Sequence, residues 1–125
     1  MAADVRQYTF TNIVRATTVA TSIRVAGTSV ERRQGLLGET HLGEDSGLWI
    51  VPCEVIHTFG MKLSIDAIFL DKKLRVRGLR RGLGPRRIAM CLRADSVIEL
   101  AAGTIERSLT QLGDRLQMSD QSRTW

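Results

Sequence analysis

The sequence predicts a mainly β protein: a compact antiparallel β-sandwich or partly open barrel with one or two short helices. Three observations carry this. Short runs rich in Val, Ile, Thr and aromatic residues recur along the 125 residues, a composition that suits a half-buried pleated surface. Gly, Pro and Asp mark turns between them. The gaps are too short to hold a helix between most strands, which excludes a doubly wound α/β fold. The length is that of one domain. The chain, 1–125, is therefore read as a single unit with a core at about 12–118 and a polar tail at 119–125.

The elements follow in order. Within residues 8–25, YTFTNIV and TTVATSIRV predict two short strands, with Val19, Thr21, Ile23 and Val25 recurring at period two. TSVERRQGLL at 28–37 predicts a helix capped by Thr28 or Ser29. Val30, Gln34 and Leu37 share one of its faces, and Gly38 is the expected stop. The apolar run at 47–51 ends at Pro52 and reads as a buried strand, as does IDAIFLD at 65–71. Leu74, Val76 and Leu79 alternate loosely with arginines, a strand with one wet face, and Gly78, Gly82, Gly84 and Pro85 read as turn residues. SVIEL at 96–100 is a strand that Gly103 ends. Thr104–Leu112 predicts a short helix with Thr104 as cap and Ile105, Leu109 and Leu112 on one side, and DRLQM at 114–118 is a final strand.

Composition excludes several classes. Apolar residues make up 43% and charged residues 25%, as in a folded globular chain rather than a collagenous or disordered one. No run of about 18 apolar residues offers a membrane-spanning helix. MAADVRQYTF at the start lacks the basic and apolar regions of a signal peptide, so the expected location is the cytoplasm. Cys53 and Cys91 are read as free thiols of a reducing compartment rather than a disulfide framework.

The net charge of +5 is unevenly spread. Lys72, Lys73, Arg75, Arg77, Arg80, Arg81, Arg86, Arg87 and Arg93 lie between positions 72 and 93, with no acid among them. Clustered cations of this kind can contact phosphates, so a nucleic-acid surface is one reading. The segment holds no Phe, Tyr or Trp for base stacking, and its glycines disfavour a recognition helix. A solvated basic face is the plainer reading.

The richest chemistry lies in PCEVIHTFGMKLSIDAIFLD at 52–71. Cys53 and His57 are four apart, which on an extended strand puts them on one face about 13 Å apart. A Cys–His nucleophile needs them in hydrogen-bond reach and a third group, Asp66 or Glu54, to orient the imidazole. His41, Cys53, His57 and Cys91 match a four-ligand zinc site in number, but not in the spacing that paired ligands need. His57 with Thr58, Phe59 and Met61 fits a groove with apolar walls and a few polar groups, the usual form of a small-ligand site. Asp66 at the head of a buried strand reads first as a carboxylate bonded to backbone amides, second as a groove residue.

Taken together, Arg32-x-x-Gly35-Leu36-Leu37, then PCxxIHTFGM, IDAIFLD, SVIELAAG and LGDRL resemble the domain-of-unknown-function family numbered 192, over about residues 12–118. The resemblance implies a single domain of mostly antiparallel strands with a short helix after the first hairpin, no settled activity, and relatives that carry export signals or lipid anchors. It also implies recurrent positions at Arg32, Gly35, Leu36, Cys53, His57, Thr58, Met61, Asp66, Glu99, Gly103, Gly113 and Asp114.

The reading that results is a non-catalytic binding module for a small polar ligand or a partner peptide. Its groove is expected to be lined by His57, Thr58, Phe59 and Met61, with Asp66 and Cys53 as further candidates, and no metal or cofactor is assigned. A Cys/His-dependent enzyme and a nucleic-acid contact through 72–93 are the alternatives. An exposed strand edge that could pair two copies is expected, on a strand the sequence does not identify.

Overall fold

The computed structural model describes residues 6–120. Two strands open the chain, β1 (Gln7–Asn12) and β2 (Thr17–Ala26), paired antiparallel. Their turn is fixed by Asn12, whose Oδ1 accepts from the backbone N–H groups of Val14 and Arg15, each at 3.0 Å. The helix α1 (Ser29–Gln34) follows, then β3 (Ser46–Ile50), β4 (Val55–His57), β5 (Ile65–Leu70), β6 (Val76–Leu83), β7 (Ile88–Met90), β8 (Ser96–Ala101), α2 (Thr104–Arg107) and β9 (Leu116–Asp120).

Seven strands form one curled sheet in the order β6-β5-β8-β3-β2-β1-β9, and β4 and β7 form a separate two-stranded sheet. The edges of the large sheet meet at one end. Arg75 bridges Arg115, the Leu116 N–H donates to Leu74 O at 2.9 Å, and the Val76 N–H donates to Asp114 O at 2.8 Å. Of the two predicted forms, this is the partly open barrel and not the sandwich. One pairing departs from the antiparallel pattern: β2 and β3 run parallel. A parallel pair needs a crossover of a dozen or more residues, which α1 and the loop after it supply.

Two apolar clusters lie on either side of the central strands. Phe10, Val19, Ile23, Ile68, Leu70, Ile98, Leu100, Ile105 and Leu116 fill the concave side. Leu36, Leu48, Ile50, Ile56, Met61, Ile65, Phe69, Ala89 and Val97 pack on the convex side, beneath the small sheet and the chain after α1. Every residue of β5 is buried, as are the first five of β8. Burial on both faces explains the unbroken apolar runs, and each such side chain contributes about 1.5–3 kcal/mol.

Both helices are shorter than expected. α1 stops at Gly35, not Gly38, and its expected apolar face is unused: Val30 is 73% exposed. The helix is held by a capping box instead, with the Glu31 N–H on Thr28 Oγ1 at 3.1 Å and the Thr28 N–H on Glu31 Oε1 at 3.0 Å. α2 spans one turn from a Gly103 cap, with Thr104 inside it and buried. Leu109 and Leu112, expected on its apolar face, are exposed because the chain leaves the helix at Ser108. Gly78 and Gly82 sit within β6 rather than at turns. A Cβ on Gly78 would stand 3.3 Å from both Phe69 and Cys91 Sγ, so the close approach of β6 to its neighbours, not a turn, requires the glycine. Residues 119 and 120, read as tail, complete β9, and the rest of the predicted tail, 121–125, lies outside the described residues.

Candidate functional site

Alternation along β8 sets the floor of the site. Ile98 and Leu100 face the concave core, so Val97 and Glu99 face the other way, towards the convex side. Glu99 is only 3% exposed, and its Oε1 has no hydrogen-bond partner. Burial raises its carboxyl from an ordinary 4.5 to about 7.

Above this acid lies a depression of ≈ 430 Å³. One wall is the chain from Arg32 to Leu37, where α1 ends. The other runs from Pro52 to His57, with Met61 and Ile50 completing the apolar surface. The Gly35 cap has φ +50 and ψ −129, a conformation that glycine tolerates and other residues resist. It lets the backbone turn over the acid: a Cβ there would be 3.8 Å from Glu99 Oε1.

The structure brings together some of the expected groove residues and separates others. Cys53, His57 and Met61 line the depression, while Thr58, Phe59 and Asp66 do not. Thr58 is fully buried and joins the small sheet to the chain before β7: its Oγ1 donates to Gly84 O at 2.6 Å and accepts from the Arg87 N–H at 2.8 Å. Phe59 is exposed and lies against the His57 ring, centroids 5.8 Å apart. Asp66 accepts from the backbone N–H groups of Gly82, Gly103 and Ile105 at 2.9, 3.1 and 2.9 Å. That is the amide-binding role expected first of it. Glu99, which the sequence reading named only as a recurrent family position, is the acid that the depression contains.

Cys53 is half-buried and its Sγ donates to Val55 O at 3.2 Å. Burial pushes the thiol above its ordinary range, the opposite of what a nucleophilic cysteine needs. Among the described residues, no group of three or more His, Cys, Asp or Glu is placed to hold a metal. His41 lies in a different depression, with Arg24 and Glu39.

The basic segment is divided by the fold. Lys72 and Lys73 occupy the turn between β5 and β6, and Arg75 stands at the barrel seam. Arg77 pairs with Asp71 at 2.9 Å. Arg80 donates to the carbonyls of Leu79 and Met90 and lies over the Phe69 ring, 5.9 Å from its centroid. Arg81, Arg86 and Arg87 are exposed on β6 and before β7.

The profile of DUF192, a family described as uncharacterized ACR, matches residues 11–118. The chain belongs to this family. Its fold is similar to that of two solved structures. One is a protein of unknown function from Novosphingobium aromaticivorans DSM 12444, with TM-score 0.78 and 21% identity over 90% of this chain and 84% of that one. The other is described as a "putative transcription regulator" from Sinorhizobium meliloti 1021, with TM-score 0.81 and 21% identity over 94% of this chain and 96% of that one. Identities at this level establish shared architecture. No curated protein matches the chain. Among the described residues of this DUF192 protein, no helix is long and apolar enough to cross a membrane.

Proposed function

We propose that this DUF192 protein is a non-catalytic binding module whose ligand presents a hydrogen-bond donor to Glu99. The observation that carries the reading is the unpartnered Oε1 of a carboxyl 3% exposed at the base of a depression. A buried polar atom without a partner costs about 1–3 kcal/mol, and a ligand donor that fills the vacancy recovers it. Ile50, Leu36, Met61 and Val55 offer apolar walls for the rest of the ligand, and His57 stands at the rim. The high thiol of Cys53 disfavours the Cys/His enzyme.

Ligand-observed NMR with small amine, guanidine and amide probes tests this, with thermal shift as the second readout. Binding to the wild-type protein, weakened in Glu99→Gln and in His57→Ala with both variants folded, supports the proposal. Probes that bind none of the three proteins, or all three alike, overturn it.

A further inference from the structure

The free edge of the small sheet identifies the kind of ligand. β4 has β7 on one side and, among the described residues, no strand on the other. In their antiparallel register, Val55 pairs with Met90, Ile56 with Ala89 and His57 with Ile88. The Cys91 N–H donates to Glu54 O and the Thr58 N–H to Arg87 O, each at 2.8 Å. Hydrogen-bonded pairs alternate along an antiparallel ladder, so residues 54, 56 and 58 direct their amides at β7. Val55 and His57 direct theirs away from it. The thiol of Cys53 on Val55 O, at 3.2 Å, marks the same direction. The depression over Glu99 lies on that side: it is lined by Val55, Ile56 and His57 and by none of the residues of β7.

We propose, on the footing of the binding reading above, that the occupant is an extended segment of a partner protein that adds to β4 as a third strand. Its backbone pairs with Val55 and His57, and one donor-bearing side chain drops to Glu99. Strands pair about 4.8 Å apart, which puts the added chain between β4 and the wall formed by Arg32–Leu37. Main-chain bonds give such a complex its affinity and the pocket gives it specificity. The weak sulfur donor of Cys53 yields Val55 O to a peptide N–H. Charge selects the flanks of the segment. Arg32 and Arg33 line the groove on the wall facing β4. With Glu54 as the acid beside β4, the rim favours acidic residues on either side of the pocketed one.

The test selects binders from a random short-peptide library against the wild-type protein and then maps them. The expected peptide protects the Val55 and His57 amides from hydrogen exchange and leaves Ile56, already bonded, unchanged. N-methylation of its backbone at alternate positions weakens binding about tenfold at those facing β4, and little at the others. Val55→Pro removes a free-edge N–H that an edge strand can spare, and it weakens the peptide by a similar factor. No selected peptide, or one indifferent to N-methylation at every position, overturns the proposal. Protection of Val55 and His57 without peptide that rises with protein concentration assigns the edge to a second copy and also overturns it. Small amine probes that still respond to Glu99→Gln in either case leave the pocket reading standing while this one fails.

Discussion

A Cβ added to Gly35 would stand 3.8 Å from Oε1 of Glu99, so the turn that ends α1 is built directly over the buried acid. The consequence is a strict demand on position 35. Gly35→Ala must hold φ near +50 with ψ near −129, at a cost of about 1–3 kcal/mol. The expected outcome is a lower midpoint in chemical denaturation and a reshaped wall, with weakened probe binding. An unchanged midpoint would show that the turn relaxes freely.

Glu99 makes stability depend on pH in a direction opposite to most carboxylates. Its folded value of about 7 lies above the ordinary 4.5. Between those values the folded state keeps a proton that the unfolded state has released, so this group's contribution falls as pH rises. The loss is nearly complete above about pH 7 and is on the order of 3 kcal/mol. Subtracting the Glu99→Gln profile from the wild-type profile isolates it from groups such as Asp114. In Asp114, burial is outweighed by Arg15, Asn12 and the Gln111 N–H, and the carboxyl is held low. A flat difference between pH 4.5 and 7 contradicts the burial argument.

The sequence made parts of this arrangement visible and hid others for identifiable reasons. The apolar runs of β3, β5 and β8 are legible because burial on both faces leaves little else. That same burial erases the period-two pattern, so SVIEL does not reveal that its acid points out of the barrel into a second core. One acid among three apolar residues and a serine was the available signal. β7 has three residues between arginines, and its partner β4 lies some thirty positions earlier, so no local pattern marks the pairing. α1 reads longer than it is because Leu36 and Leu37 continue the helical spacing, whereas Gly35 takes a conformation that only the three-dimensional turn requires.

Asp66 and His57, both expected in the groove, separate by experiment. Asp66→Ala strips an acceptor from three backbone amides at the junction of β5, β6 and α2. The loss is expected at about 3 kcal/mol or more, since each buried donor left unpaired costs about 1–3. His57→Ala removes an exposed side chain and is expected within about 0.5 kcal/mol of wild type. Equal stabilities of the two variants would contradict these assignments.

Cys53 is expected to alkylate slowly at neutral pH, with a rate that climbs only above the ordinary thiol range. Iodoacetamide rates in Cys91→Ser, measured against pH, report on Cys53 alone. A rate already at its plateau near neutrality would restore the Cys/His enzyme.

The carboxyl of Glu99 is the group on which stability and binding both depend, and its side-chain ¹³C shift, followed by NMR through a pH titration, is the most direct test. A midpoint near 7 in the free protein, displaced when an amine probe or a selected peptide is bound, is the predicted result. A midpoint in the ordinary carboxylate range that ignores every added ligand would contradict it.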